Sequence, residues 1–380
     1  MKGVPIADPA RILVRGVNWL GDAVMTTPAL MRLRERFPNS RITLLTQEKL
    51  RELWLNHPAI DEVLTFHKKE SVWALSRRIK AGRFDLALLL PNSPRSGLEV
   101  FLAGVPRRVG GAWPFRNFLL TDVVPAGNSE HRMRKRTPDE AKRLVAGDRP
   151  TDYKSVASGF GRWTPEDHQL YHYLRLVGYL GGNVAPVPPL LSLSVEEKRR
   201  GAEFVPAGRF PMWIGLNAGA EYGPAKRWPI ESFAAAANDL YSRLGCGFAI
   251  FGGPADTAMA ETLAGMLKMP SDAIVSLAGK TTLRELMIAL SGCRALLTND
   301  TGPMHVAAAL GVPVVVPFGS TSPELTGPGL PGDPKHRLLR QPVPCAPCFL
   351  RECPIDLRCL KGIEPRRVAD AVVEVLGAIG

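Results

Sequence analysis

The stretch LLTNDTGPMHVAAALGVPVVVPFG, residues 296–319, decides the fold. It opens with a short apolar run, passes through the polar turn 299–302 and enters a helical segment at Pro303, a residue that the first position of a helix tolerates well. A second apolar run follows at 312–318. Strand, turn, helix and strand in that order are typical of a parallel sheet with crossover helices.

The same alternation extends in both directions from this stretch. Apolar runs predict further strands, and the amphipathic segments between them predict helices. We expect strands at residues 11–15, 41–46, 62–66 and 85–90, a strand that begins at residue 212, and strands at 248–251, 275–277 and 295–298. We expect helices at 22–37, 70–81, 96–103, 231–244, 257–267, 283–291, 304–310 and 365–379. The predicted fold class is therefore α/β, built from two Rossmann-like, doubly wound parallel sheets.

The chain length predicts two domains, because 380 residues exceed the usual size of one. A proline-rich stretch near 186–189 suits a stiff linker. We expect an N-terminal domain at 1–190, a C-terminal domain at 191–360, and a final helix at 361–380 that packs back on the N-terminal domain. Ligands of doubly wound sheets bind beyond the carboxyl ends of the strands, so the expected site is a cleft across which the two domains face each other.

The composition is that of a globular protein, with 45% hydrophobic and 22% charged residues. The formal net charge of +12 favours anionic partners, although surplus Lys and Arg also serve solubility alone. No apolar run has the length of a leader at the start or of a membrane span elsewhere, so we expect a cytoplasmic protein whose membrane contact, if any, is peripheral. Residues 127–163 are basic and lack apolar periodicity, which predicts a mobile insertion or a solvated loop without function.

The first candidate site is the turn GVNWLGD at residues 16–22. Asp22 stands where a strand passes into a helix, and it can cap that helix or act as a general base for a hydroxyl group. Its position alone favours the cap. The turn lacks the Lys-Ser/Thr pair of a P-loop and the third glycine of a dinucleotide fingerprint, which argues against an NTPase and against an NAD enzyme.

The second candidate site is the turn that contains Asp300, Thr301 and Gly302. The free N–H groups and the dipole of the helix that follows make its start an anion site, which suits a pyrophosphate. His305 lies in the first turn of that helix and can donate to phosphate or sugar oxygens. An ordinary, partly buried imidazole is the alternative for His305.

Two further charged residues follow predicted strands. Lys226 lies on the loop GAEYGPAKRWP and can neutralise a leaving diphosphate, unless it is an ordinary surface residue. Asp256 follows the glycine pair of FGGPAD, where it can bind ribose hydroxyls or cap the next helix. No DxD triplet occurs, so the sequence does not indicate a metal that clamps a diphosphate.

The cysteines are concentrated in one segment near the C-terminus, CAPCFLRECPIDLRC, which holds Cys345, Cys348, Cys353 and Cys359. Four thiols in so short a segment are candidate ligands for zinc or an iron–sulfur cluster, but their spacing is not that of the common paired motif. A reducing compartment argues against stable disulfides, so reduced structural thiols are the favoured interpretation and no metal is expected.

These motifs carry a family resemblance. The segments GVNWLGDAVMTTPAL, GAEYGPAKRWP, NDTGPMHVAAALGVP, FGSTSPE and CAPCFLRECPIDLRC, in this order, resemble the ADP-heptose–lipopolysaccharide heptosyltransferases of glycosyltransferase family 9, with heptosyltransferase II as the most similar subtype. The resemblance spans about residues 11–375. The basic stretch at 127–163 looks longer than the usual connection of the family, which leaves the acceptor open.

The resemblance implies a GT-B fold and an inverting transfer that requires no metal or other cofactor. The implied donor is ADP-L-glycero-β-D-manno-heptose, and the implied acceptor is the heptosylated inner core of lipopolysaccharide at the cytoplasmic membrane face. By motif position Asp22 becomes the general base, which replaces the preference for a cap. The remaining implied contacts are Lys226, Thr301 and Gly302 with the diphosphate, Asp300 and His305 with the sugar or phosphates, Asp256 with the ribose, and residues 277–280 with the adenine.

Three other functions compete with this one. A related transferase with another donor or acceptor would carry the same motifs. A non-catalytic nucleotide-sugar binder would not need intact Asp22, Lys226, Asp300 and His305. A specific nucleic-acid-binding protein is disfavoured, because the Lys and Arg residues are scattered and no nucleic-acid module or aromatic platform occurs.

Overall fold

A computed structural model describes residues 8–127, 134–147, 164–206 and 208–378. The described chain divides into two compact units, the first at 8–127 and 169–192 and the second at 134–147, 164–168, 193–206 and 208–378. The expected N-terminal domain at 1–190 is therefore wrong in one part, because residues 134–147 and 164–168 belong to the second unit and the chain returns to the first at Gln169.

The first unit contains a six-stranded parallel sheet of order β3-β2-β1-β4-β5-β6. Its strands are β1 (Arg11–Arg15), β2 (Arg41–Gln47), β3 (Glu62–Phe66), β4 (Leu86–Leu89), β5 (Arg107–Gly111) and β6 (Asp122–Val124). The central strands are buried over most of their length, which is why they read as near-continuous apolar runs.

The second unit repeats this topology, with order β12-β11-β10-β7-β8-β9. Its strands are β7 (Trp213–Asn217), β8 (Gly247–Ile250), β9 (Ile274–Ser276), β10 (Ala295–Thr298), β11 (Val314–Phe318) and β12 (Arg337–Arg340). The connection order reverses between β7 and β10, and the corresponding reversal in the first sheet lies between β1 and β4.

The helices of the described residues connect these strands. They are α1 (Leu20–Met25), α2 (Thr27–Arg36), α3 (Val72–Ala81), α4 (Pro94–Leu102), α5 (Pro138–Val145), α6 (Gln169–Tyr179), α7 (Val195–Arg199), α8 (Gly201–Phe204), α9 (Ile230–Leu244), α10 (Thr257–Met266), α11 (Leu283–Ser291), α12 (Gly302–Ala309), α13 (Pro323–Thr326), α14 (Arg358–Lys361) and α15 (Pro365–Gly377). In the described part of the chain, none of them has both the length and the apolar character that crossing a membrane requires.

The single helix expected at 22–37 is two helices that meet at Thr26. Pro28 has no N–H to donate back to the carbonyl of Val24, so the helical ladder is interrupted there. The Thr27 hydroxyl donates to that carbonyl at 2.8 Å, and the Thr26 hydroxyl donates to Ala23 O at 2.6 Å. These side chains satisfy the groups that the break exposes.

The final helix packs within the second unit, which corrects the expectation that it packs on the N-terminal domain. Val368, Val372 and Val375 lie on one face of α15 and are buried in the core that contains Phe233 of α9. An ion pair between Arg243 and Asp370 at 2.7 Å links the exposed sides of the same two helices. The apolar stripe of α15 is thus covered by its own unit.

Part of the expected mobile basic insertion is folded. A capping box at Thr137 and Glu140 begins α5, and Ala141 on that helix packs against Cys345 and Leu350. The backbone N–H of Arg136 donates to Cys348 O at 2.9 Å. Residues 134–147 are therefore held against the cysteine segment, while 128–133 and 148–163 of the predicted insertion lie outside the described residues.

Candidate functional site

The turns that follow β7 and β10 lie side by side because these strands are paired in register, with Asn217 opposite Thr298. Ligands of doubly wound sheets bind at such a reversal of strand order. The first turn leads to the loop that carries Lys226, and the second leads directly into α12. Two sequence segments about 80 residues apart thus form one site.

Asn299 fixes the position of the two turns relative to each other. Its side-chain N–H group donates to Ala218 O at 2.7 Å, and its side-chain oxygen accepts from the Trp228 backbone N–H at 2.9 Å. Asn299 is fully buried, so both bonds form away from water. Asn299 was not among the predicted site residues, although its position at the end of an apolar strand was a signal for a role there.

Asp300 is the centre of the charged part of the site. Its Oδ2 atom lies 2.7 Å from Nζ of Lys226 and accepts from the Thr321 hydroxyl at 2.5 Å. The Asp300 side chain is only 5% exposed and that of Lys226 is 15% exposed. A nearly buried carboxylate is stable here because a cation and a hydroxyl compensate its lost hydration.

Thr321 was not predicted as a site residue. It belongs to the turn after β11, and β11 is the direct neighbour of β10 in the sheet. The segment FGSTSPE carried part of the family resemblance, but no local pattern indicated which of its hydroxyl groups faces Asp300.

His305 is buried in the first half of α12, one turn beyond Asp300. Burial lowers the pKa of His305 to about 4; the charge of Asp300 opposes this shift, and the charges of His168 and Lys226 add to it. The imidazole is therefore neutral at pH 7 and offers one N–H donor and one acceptor nitrogen.

Thr301 and Gly302 begin α12. Thr301 is the N-cap residue with extended backbone angles, Gly302 is the first helical residue, and Pro303 follows it. The N–H groups of a first helical turn have no partner within their own helix, so this terminus attracts anions. The structure places the predicted Asp300, Thr301, Gly302, His305 and Lys226 together.

Asp256 lies beyond β8, close to the turn after β7. Its Oδ2 atom accepts from Gly253 N at 3.0 Å, and it makes no side-chain cap bond to α10. A Cβ atom on Gly219 would approach the Asp256 carboxylate to 2.6 Å, so the two segments touch only because residue 219 is glycine.

The turn at 277–280, for which the family resemblance implies an adenine contact, lies beside the glycine pair that precedes Asp256. Gly279 N donates to Gly252 O at 3.0 Å, and Leu277 N donates to Ile250 O at 2.9 Å. The turn therefore lies next to Asp256 at the same end of the second sheet.

Asp22 lies in the first unit, in the first turn of α1. The helix begins at Leu20 with Trp19 as its N-cap, so Asp22 is inside the helix and does not cap it. Tyr173 of α6 is buried nearby, and burial together with the Asp22 charge raises the pKa of its phenol. Tyr173 therefore stays protonated near Asp22, a neighbour that the sequence did not reveal.

The four clustered cysteines are free thiols. Among the residues that the structure describes, no three His, Cys, Asp or Glu side chains are arranged so that they could hold a metal ion, and this includes the candidate ligands Cys345, Cys348, Cys353 and Cys359. Burial raises the pKa of Cys359 to about 12 and also raises the pKa of Cys345 and Cys348, so these thiols are protonated at pH 7. Cys345 packs in the small core beneath α5.

A lysine–aspartate pair beside the N-terminus of a helix, at the point where the strand order of a doubly wound sheet reverses, is typical of a protein that binds a nucleotide or its phosphates. Comparison with known proteins identifies the class more closely. The family model "Glycosyltransferase family 9 (heptosyltransferase)" matches residues 165–358. Lipopolysaccharide heptosyltransferase 2 of Escherichia coli (strain K12) is 31% identical over 329 residues, which cover 84% of this chain and 85% of the relative.

Solved structures agree with this result. The E. coli ADP-heptose lps heptosyltransferase II is similar with a TM-score of 0.74 and 26% identity, over 97% of this chain and 99% of that one. The glycosyl transferase family 9 protein of Veillonella parvula DSM 2008 is similar with a TM-score of 0.77 and 25% identity, over 99% and 100% of the chains. The chain belongs to glycosyltransferase family 9, the heptosyltransferases. The predicted α/β fold class and the predicted resemblance are confirmed.

Proposed function

We propose that this enzyme transfers heptose from ADP-L-glycero-β-D-manno-heptose to the heptosylated inner core of lipopolysaccharide, with inversion at the anomeric carbon. The observation that carries the proposal is the Lys226–Asp300–Thr321 cluster at the start of α12. The similarity to relatives named lipopolysaccharide heptosyltransferase 2 supports the donor and the acceptor.

The second unit supplies the groups for a diphosphate. An ammonium group has three N–H donors, so the bond of Lys226 to Asp300 leaves donors for phosphate oxygens. The start of α12 adds backbone N–H groups at Thr301 and Gly302, and neutral His305 adds a hydrogen bond without further charge. These groups stabilise the negative charge that develops on the leaving ADP, so the proposed reaction needs no divalent metal and no other cofactor.

Asp22 is the proposed general base. It accepts the proton of the acceptor hydroxyl, whose oxygen forms a bond to the anomeric carbon while the bond from that carbon to the phosphate oxygen breaks. A single displacement of this kind inverts the configuration. Asp256 and residues 277–280 are proposed to contact the ribose and the adenine.

The proposed acceptor also implies a location. Lipopolysaccharide precursors are lipid-linked, so the proposed place of action is the cytoplasmic face of the membrane, with peripheral contact. Two alternatives remain for the same geometry, a related transferase with another donor or acceptor and a non-catalytic nucleotide-sugar binder.

The test is the release of ADP from ADP-heptose in the presence of a heptosylated core acceptor and EDTA. We expect release that depends on the acceptor in the wild type, and a loss of about 10²–10⁴-fold in Asp22→Asn, because that variant keeps the shape of the side chain without its basicity. Glu35→Gln, an exposed carboxylate on α2 of the same unit, is the matched control and should retain full activity.

The outcomes separate the alternatives. Full activity in Asp22→Asn would remove Asp22 from the reaction. Tight binding of ADP-heptose without release of ADP would identify a binder, and release with a different acceptor alone would reassign the substrate. Loss of activity in EDTA that magnesium restores would contradict the metal-independent mechanism.

A further inference from the structure

Large apolar side chains are exposed on one part of the first unit. Phe115 is 88% exposed, Phe118 is 75% exposed and Trp73 is 66% exposed. Leu98, Phe101 and Trp113 are exposed as well. Exposure of so many large apolar groups is unfavourable in water unless something covers them. We name these six residues, five aromatic side chains and Leu98, the aromatic surface.

The aromatic surface is formed by adjoining elements. Leu98 and Phe101 lie three residues apart on α4, which packs beside α3 and its Trp73. Trp113, Phe115 and Phe118 lie on the connection between β5 and β6, which contacts α4.

Arg108 joins α4 to this connection. Its guanidinium lies 5.4 Å from the centre of the Phe101 ring and donates to Leu119 O at 2.8 Å. A Cβ atom on Gly97 of α4 would lie 3.1 Å from the Leu119 side chain, which shows how closely helix and connection pack.

The connection is held in a fixed shape. Arg116 is fully buried and donates to Gly111 O at 3.0 Å and to Pro91 O. The backbone N–H of Trp113 donates to Oδ1 of Asn117 at 2.9 Å. Phe115 has a φ of 61°, a conformation that is unfavourable for a bulky residue. An anchored arginine therefore supports a strained turn that turns its phenylalanines outward.

Positive charges outnumber negative charges in the segment that carries the aromatic surface. Residues 67–121 contain ten Lys or Arg residues and three carboxylates. Each of the three is engaged within the fold, since Glu70 pairs with Arg78, Asp85 accepts from Arg11 N and Glu99 pairs with Arg15. Arg77 and Lys80 of α3 are exposed. Both residues follow Trp73 at helical spacing on α3, so the surface combines aromatic rings with exposed positive charge.

We propose that the aromatic surface binds the headgroup region of an anionic lipid membrane. Aromatic side chains favour the membrane–water interface, and clustered Lys and Arg residues add attraction to anionic lipids. The absence of unpaired carboxylates among these described residues fits such a partner better than an unspecific protein contact. The inference rests on the proposed function in one respect, because a lipid-linked acceptor would be met at this surface.

The test is co-flotation of the purified full chain with vesicles of phosphatidylcholine and phosphatidylglycerol that contain no glycolipid. We expect the wild type to float, and Phe115→Ser/Phe118→Ser to bind at least about tenfold more weakly, because two exposed rings lose their apolar contact. Val195→Ser, which removes a 69% exposed apolar residue of the second unit, is the matched control and should bind like the wild type.

Charge is tested separately. Arg77→Ser/Lys80→Ser should weaken binding several-fold, and added salt should weaken wild-type binding, because screening reduces the attraction. Unchanged flotation of the phenylalanine variant would overturn the proposal. The proposal would also be overturned if the wild-type chain did not float but formed a dimer that the same substitutions dissociate. A second copy of the chain would then cover the surface.

Failure of this inference can be distinguished from failure of the proposed function. The phenylalanine variant should retain wild-type ADP release with a lipid-free core acceptor, since neither phenylalanine is among the residues proposed to bind the donor or to accept the proton. Flotation without any transferase activity would leave the surface assigned and the reaction wrong. A variant that loses activity on the lipid-free acceptor would show that the loop serves the reaction itself, which overturns its assignment to the membrane.

Discussion

At the scale of single residues, Asp300 is the group on which the site of the second unit depends. Its carboxylate is nearly buried and is compensated by Lys226 and Thr321. A buried carboxylate that loses its cation is strongly destabilising, whereas removal of both charges is often nearly neutral. The pair therefore couples folding to the chemistry of the site.

Lys226→Met should lower the free energy of unfolding by about 2–4 kcal/mol, somewhat less than for a fully buried pair because Lys226 is partly exposed. Lys226→Met/Asp300→Asn should recover most of that loss but not the release of ADP. Urea unfolding and ADP release measure the two effects. If the stability losses of Lys226→Met and Asp300→Asn simply add up in the double variant, the two residues are not coupled.

Residue by residue, the sequence predicted those groups whose role follows from a local pattern. Asp300, Gly302 and His305 belong to one strand–turn–helix unit, so their convergence was predictable. Thr321 and Tyr173 were not, because the contact of each depends on which strand or helix lies alongside in space.

At the scale of elements, the loop that carries Lys226 is fixed by the cysteine segment. Ala225 N donates to Arg351 O at 2.9 Å, and the Tyr222 hydroxyl donates to Phe349 O at 2.8 Å. The cysteine segment, a candidate metal site in the sequence, thus has a structural role here. It holds the backbone of the Lys226 loop beside the proposed diphosphate site.

Gly223→Ala tests this support. Gly223 has a φ of 152°, and a Cβ atom there would lie 2.5 Å from the backbone oxygen of Arg351, so an alanine must displace the loop. We expect a rise in KM for the donor of about tenfold or more and a loss of stability of about 1–3 kcal/mol. Gly265→Ala is the control, since nothing lies within 4 Å of its Cβ position on α10. Equal kinetics for both variants would show that the loop does not depend on this contact.

Most elements with strong apolar runs were predicted, although α6 was missed despite its buried Leu170, Leu174 and Val177. The strands at 11–15, 62–66 and 295–298 have the predicted bounds. Strands β5 (RRVGG) and β12 (RLLR) begin with arginine and are too short in apolar residues to show a periodic pattern, so they were missed. The packing partner of α15 was also missed, because an apolar stripe does not reveal what covers it.

At the scale of the whole molecule, the buried histidines make stability depend on pH. Burial lowers the pKa of His57, His168, His172 and His305 to about 4 each. In the unfolded chain a histidine has its ordinary pKa of about 6.5, so between these values the unfolded state binds more protons. The free energy of unfolding therefore falls as the pH is lowered from about 6.5 to about 4.

His168→Gln isolates one of these contributions. His168 is 1% exposed and its Nε2 atom lies 3.0 Å from Gly327 O, a hydrogen bond that a glutamine amide can replace without taking up a proton. A single histidine of this kind contributes a loss of about 2 kcal/mol between pH 7.5 and pH 5. Urea unfolding at both pH values should therefore show that the free energy of unfolding falls by about 2 kcal/mol less in His168→Gln than in the wild type. The control His67→Gln, at an exposed position, should show the same fall as the wild type. If the two variants lose stability equally, the acid sensitivity arises elsewhere, and protonation of the buried imidazoles does not limit the stability of the second unit.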